Sequence, residues 1–169
     1  MDEVFRALAD PQRRSLLDRL LADDASEGLV MTQTVEQLRD TVARDLEALL
    51  NSRAPFDFES LRPLAHARRS VLTYGVRDFV GRSLGNNEDK RFIGGSLAQA
   101  IEAHEPRLAQ VQVLFNERKG AINALAFTIR GLLIVRPSRE HVSFDAVLQP
   151  SLARFSVLPS RFSATAAAA

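Results

Sequence analysis

The sequence predicts an α+β domain, with an N-terminal helical arm and two main helices packed on a small antiparallel three-stranded sheet. Three observations carry that expectation. Apolar residues recur at helical spacing in two central stretches, near residues 35–50 and 97–104. Beyond residue 110 the apolar period drops to two, in three runs joined by short polar stretches. A chain of 169 residues, 46% hydrophobic and 25% charged, is the size of one ordinary domain with enough length to bury a core.

The elements follow in chain order, over an arm at 1–30, a main domain at 31–159 and a flexible tail at 160–169. Leu8, Leu16, Leu17, Leu20 and Leu21 fall at helical spacing, with Asp10 placed to cap and Pro11 to start a helix. Val35, Leu38, Val42, Leu46, Leu49 and Leu50 form a longer stripe, with Arg39, Asp40, Arg44 and Glu47 off it and Pro55 as its stop. Residues 54–69 read as irregular, and Ser70 to Tyr74 as a short apolar run ended by Gly75. Phe56, Phe58 and Tyr74 read as packing residues.

Gly81, Gly85, Gly94 and Gly95 mark residues 81–95 as mobile. The second main helix is expected from Ser96, which with Gln99 resembles a capping box, through Leu97, Ala100, Ile101 and His104 to Pro106. Val111, Val113 and Phe115 make the first strand, Leu125, Phe127 and Ile129 the second, and Val142, Phe144, Ala146 and Leu148 the third. Turns are expected at 116–120 and 136–139. Gly131 breaks the alternation, which points to a bulge or a close backbone approach.

Composition narrows function. There is no cysteine, hence no disulfide, thiolate metal site or cysteine nucleophile. No apolar stretch reaches the ~20 residues of a membrane span, and charges interrupt the N-terminus where a signal peptide would be apolar, so the expected address is the cytoplasm. Net charge is +1, which gives no global attraction to nucleic acid or anionic lipid. Its distribution is polar: thirteen acids and seven bases in residues 1–60, two acids and six bases in 119–169. Arginine outnumbers lysine twenty to two, which suits interfaces that bind carboxylates.

No phosphate loop, dinucleotide glycine fingerprint or nucleophile elbow is present. His66, His104 and His141 lack metal-ligand spacing, so no metal, cofactor or catalytic residue is expected. Two carboxylates across a cleft would suffice for a muramidase. Glu102, Glu105, Glu117, Glu140 and Asp145 are the available acids, and their positions read as solvated surface. The run Ala9-Asp-Pro-Gln-Arg-Arg14 resembles the first helix of winged-helix repressors, but no basic recognition helix follows it.

Several stretches in series resemble the type VI secretion baseplate subunits (TssE), within the phage baseplate-wedge, lysozyme-like family. They are Ser15-Leu-Leu-Asp-Arg-Leu20, Val42-Ala-Arg-Asp-Leu-Glu-Ala-Leu-Leu-Asn-Ser-Arg53, Ser70-Val-Leu-Thr-Tyr-Gly75, Ala100-Ile-Glu-Ala-His-Glu-Pro-Arg-Leu108 and Leu125-Ala-Phe-Thr-Ile-Arg-Gly131. The likeness covers about residues 12–148; Val76-Arg-Asp78 departs from the family's Leu-Pro-Asp, and nothing beyond Gln149 matches. The resemblance implies a non-enzymatic structural subunit, cytoplasmic and assembled into a membrane-docked baseplate, six copies in each. Its partners would be other baseplate wedge subunits and sheath subunits, with no nucleic acid and no direct membrane insertion. Sheath strands would add to its sheet, at Leu108 to Phe115 or at Val142 to Leu148. Glu105, Pro106 and Arg107 would form a polar clamp on a neighbour, presenting one acid and one guanidinium side by side. Arg44, Asp45 and Glu47 would form a second docking face. The alternatives are a peptidoglycan-cleaving muramidase and a DNA-binding regulator.

Overall fold

A computed structural model of the chain describes residues 34–77, 86–116, 125–135, 138–149, 152 and 154–160. Two helices, α1 (Val35–Leu50) and α2 (Asn87–His104), lie against one face of a sheet. Its strands are β1 (Leu108–Phe115), β2 (Leu125–Val135), β3 (Ser138–Gln149) and β4 (Arg154–Pro159), all antiparallel and in the order β1-β2-β3-β4. The class is the one expected, α+β with two helices. The sheet, however, has four strands and not three. β4 holds only six residues, and its two inward side chains, Phe155 and Val157, are too few to announce a strand by alternation.

α1 begins at Thr34, whose side chain accepts from the Gln37 backbone while the Gln37 side chain accepts from the Thr34 N–H. Its stripe is the expected one: Leu38, Val42, Leu46, Leu49 and Leu50 are buried. The helix ends with Asn51 as its C-cap, four residues before Pro55, which was expected to end it; past the cap the Ser52 N–H turns back only three residues, to the Leu49 carbonyl at 3.1 Å. The irregular stretch after it closes where Val76 N–H reaches Ser52 at 2.9 Å. Gly75 makes that return with φ +118°, and a Cβ there would lie 2.5 Å from the Ser52 carbonyl oxygen.

α2 starts nine residues before Ser96. Asn86 caps it by accepting from the Glu88 N–H, and Glu88 and Asp89 place negative charge in its first turn. Residues 86–95, expected to be mobile, therefore belong to the cap and helix, and Gly94 and Gly95 lie within it. Gly94 is close-packed: a Cβ there would stand 3.1 Å from the Phe115 ring.

The core lies between helices and sheet. Phe127, Ile129 and Leu133 of β2 face inward with Val142, Phe144 and Ala146 of β3 and with Phe155 and Val157 of β4. Alternation along β2 does not break at Gly131, which is itself on the inner face. The bulge lies opposite it in β1, between Ala109 and Gln112, where Gln110 takes φ +55°. A Cβ on Gly131 would sit 3.3 Å from the Ala109 carbonyl, so the expected close backbone approach is present. On the outer face Asn116 donates to Thr128, which donates to Asp145. Residues 1–33, 78–85, 117–124, 136–137, 150–151, 153 and 161–169 lie outside the described residues, and with them the helical arm, the turns expected at 117–120 and 136–137, and residues 161–169 of the tail. Ser160, where that tail was expected to begin, is buried; it donates to Ser143 and accepts from Arg39.

Candidate functional site

The corner between α2 and β1 is set by a proline. Pro106 excludes the residue before it from helical backbone, so Glu105 ends α2 at φ −117°, ψ 84° while its N–H still reaches Ile101. Two residues on, the Arg107 carbonyl already accepts from Ile134 of β2, which extends the ladder into the corner.

That geometry folds Arg107 back over Glu105. The Arg107 backbone N–H donates to Oε1 of Glu105 at 3.1 Å and its Nε donates to the same oxygen at 2.7 Å. Its Nη2 donates to Oε2 of Glu105 and also to Oδ2 of Asp45, on α1. The cluster is shielded: Glu105 is 4% exposed and Arg107 7%, with Asp45 closing the solvent side. Burial alone would push the guanidinium down; hydrogen bonds and charge from Glu105, then from Asp45, reverse this and hold it above its ordinary range. The acid and the guanidinium thus lie side by side, but Glu105, expected as a solvated surface acid, is buried with Arg107 in an ion cluster tying α1 to the α2–β1 corner. Charge reversal here strikes the fold as well as any partner.

The remaining expected site residues divide. Arg44 and Pro106 are exposed. Glu47 reaches the sheet, where its Oε2 accepts from the Val157 N–H at 2.9 Å. Beside it, Asn51 donates to the Phe155 carbonyl and accepts from the Phe155 N–H, both at 2.9 Å. Glu47 and Asn51 are one helical turn apart, roughly 6 Å along α1. Phe155 and Val157 are two strand residues apart, roughly 6.6 Å. The two spacings match, so two α1 side chains take up outward-facing backbone groups of β4. Asn51, Arg39 and Glu102 were not foreseen in this role; their only sequence signal is a polar residue at the edge of an apolar stripe.

The open edge is elsewhere. Val142–Leu148, expected as a possible edge, lies inside β3, an inner strand whose residues from Phe144 to Leu148 pair with β2 on one side and β4 on the other. β1 is the other edge. Asn116 donates to Ala126 of β2, and strand alternation then turns Val113 and Phe115 backbone groups away from β2. Among the described residues none hydrogen-bonds those groups. At the near end the Val111 N–H is taken by Glu102 at 3.1 Å. A groove of about 560 Å³ runs along this edge, between β1 and α2.

No group of three His, Asp or Glu side chains among the described residues is placed to hold a metal ion. The muramidase alternative needs two acids converging on a substrate bond. Asp45 and Glu105 do converge, but on Arg107, which occupies the space between them. The segment that suggested DNA binding lies within residues 1–33, outside the described part. No helix of the described residues is long and apolar enough to cross a membrane.

Nothing matches the chain among curated proteins or among solved structures. The family model described as "Baseplate wedge protein gp25" matches residues 36–138. That span runs from the first turn of α1 through the Glu105-Pro106-Arg107 corner to the start of β3, more than half of the chain, and the chain accordingly belongs to the baseplate wedge protein gp25 family.

Proposed function

We propose that this chain is a structural subunit of a contractile type VI secretion baseplate, of the TssE kind, which docks wedge neighbours and offers a sheet edge to sheath subunits. Membership of a baseplate wedge family supports a structural role among other baseplate proteins. One observation carries the finer reading: of the two sheet edges, β4 is closed by Glu47 and Asn51 of α1, whereas the Val113 and Phe115 backbone of β1 faces away from β2 with no hydrogen-bond partner among the described residues. An unpaired edge of this kind accepts an extended segment from another chain, and each added bond contributes on the order of 0.5–1.5 kcal/mol. Six tethered copies around a ring would turn such modest contacts into firm attachment through effective concentration.

Wedge docking is proposed at the α1–corner surface. There Arg44, Pro106 and the exposed side of Asp45 reach solvent, with Arg107, itself held by Glu105, bonding Asp45 from beneath and Glu47 fixing α1 to β4. The subunit would be cytoplasmic, assembled into a membrane-docked baseplate.

The test is Val113→Pro. The Val113 N–H points away from β2, so proline there removes no ladder bond yet blocks an incoming strand. In cells that assemble the apparatus, the variant should fold and join baseplates while labelled sheath fails to extend. Normal sheath extension would refute strand addition at β1.

A further inference from the structure

We propose that the groove between α2 and the β1 edge selects an acid-bearing extended segment of a neighbouring chain. The inference rests on the strand-addition reading and adds the chemistry of the incoming strand.

The length and register of that strand follow from the edge itself. The outward groups are the Val111 carbonyl and both backbone groups of Val113 and Phe115, a ladder of roughly 16 Å at ~3.3 Å per residue. It has a fixed end. Glu102 already holds the Val111 N–H, and the bulge at Gln110 turns the backbone away, so pairing cannot slide past Val111.

Among the described residues the groove's charge is one-signed: Lys90 and Arg91 line it, no carboxylate does, and no ion pair joins either to an acid. Glu102 stands at the closed end, beside Val111, so acids of the strand belong toward the Phe115 end. Glu88 and Asp89 share α2's first turn but do not line the groove.

The helix also leaves space. Gly94 is required by its own chain, since Phe115 would crowd a Cβ at 3.1 Å. Gly95 is not: a Cβ there meets nothing within 4 Å. A glycine in a helix interior is about 1 kcal/mol worse than alanine, and no contact among the described residues offsets that at Gly95. Room at this position serves the inward-facing side chains of a strand laid beside β1, under Gly95 and Ala98.

The experiment titrates the full chain against three labelled peptides of about eight residues, long enough to span the edge. They alternate valine with glutamate, glutamine or lysine, and binding is read by fluorescence anisotropy at low salt. The glutamate peptide should bind about tenfold tighter than the other two, with the ratio collapsing near ~0.5 M salt. Lys90→Glu with Arg91→Glu should invert the preference. Gly95→Phe should abolish binding of all three while circular dichroism and Tm stay near wild type. Equal affinity for all three peptides, or binding unaffected by Gly95→Phe, would overturn the proposal and leave strand addition standing. Absence of any binding, with Val113 and Phe115 amides exchanging freely, would remove both. Self-association through β1 without peptide binding would assign the edge to a second copy and overturn the proposal.

Discussion

Arg107 chelates Glu105 across a single proline, with Nε on Oε1 at 2.7 Å and Nη2 on Oε2, and the same Nη2 reaches Asp45 on α1. Removing one partner of a buried pair strands the other, at a cost of about 3–5 kcal/mol. The loss is asymmetric here. Arg107→Met leaves Glu105 buried without its cation, while Glu105→Leu leaves Arg107 with Asp45. Urea unfolding should therefore show a loss of about 3–5 kcal/mol for Arg107→Met and a smaller one for Glu105→Leu. The double variant should lose less than the sum of the two. Additive losses would mean that the two side chains are not coupled.

Asn51 makes three hydrogen bonds at the end of α1, to the Glu47 carbonyl at 2.8 Å and to both backbone groups of Phe155 at 2.9 Å. Asn51→Leu leaves the outward face of β4 unsatisfied and should destabilise the chain by about 1–3 kcal/mol. Amide exchange should localise the effect, with Phe155 losing protection and the β2–β3 ladder keeping it. Unchanged protection at Phe155 would mean that α1 does not close that edge.

What the sequence made legible, and what it hid, divides along physical lines. The α1 stripe was readable because six apolar residues at helical spacing admit one burial pattern. The β2 and β3 alternations were readable for the same reason at period two. The start of α2 was not, because Gly94 and Gly95 read as loop by propensity, and tertiary contact with Phe115 is what makes a glycine useful at 94. β4 was hidden by its brevity. At the site, the Glu105-Pro106-Arg107 corner was visible as a helix stop. Its burial was not, because the acid that completes the cluster, Asp45, is sixty-two residues away from Arg107 in the chain.

The glycines separate into three kinds, and alanine substitution distinguishes them. Gly95→Ala enters open space and should stabilise the isolated chain by up to about 1 kcal/mol. Gly94→Ala gains the same propensity but presses on the Phe115 ring, so its net effect should fall below that of Gly95→Ala. Gly75→Ala meets the Ser52 carbonyl with a left-handed φ of +118° and should cost about 1–3 kcal/mol. Thermal unfolding of the three variants gives the order, and a Gly75→Ala protein as stable as wild type would contradict the described return of the chain at Val76.

His104 sits at the end of α2 with its Nε2 at 2.9 Å from the Thr73 carbonyl, and a carbonyl can only accept, so that nitrogen carries the proton of the neutral ring. The Tyr74 ring packs edge-on against it. Burial pushes the imidazole below its ordinary 6.5 and the nearby Arg69 adds to this, with the hydrogen bond to Thr73 opposing. The folded chain thus binds fewer protons at this group than the unfolded chain wherever the pH lies between the two values. Stability then rises with pH across that window. Its full contribution is present above the unfolded value of 6.5, is lost as pH falls toward the lower folded value, and is level beneath it. His104→Gln keeps a donor for Thr73 and has no titration. Unfolding free energies of wild type and variant, compared between about pH 5 and 7, should diverge on acidification, with only the wild type losing stability from this residue. A wild type that gained stability relative to the variant on acidification would mean that the ring is charged in the folded protein, which a neighbouring Arg69 and a half-buried setting oppose.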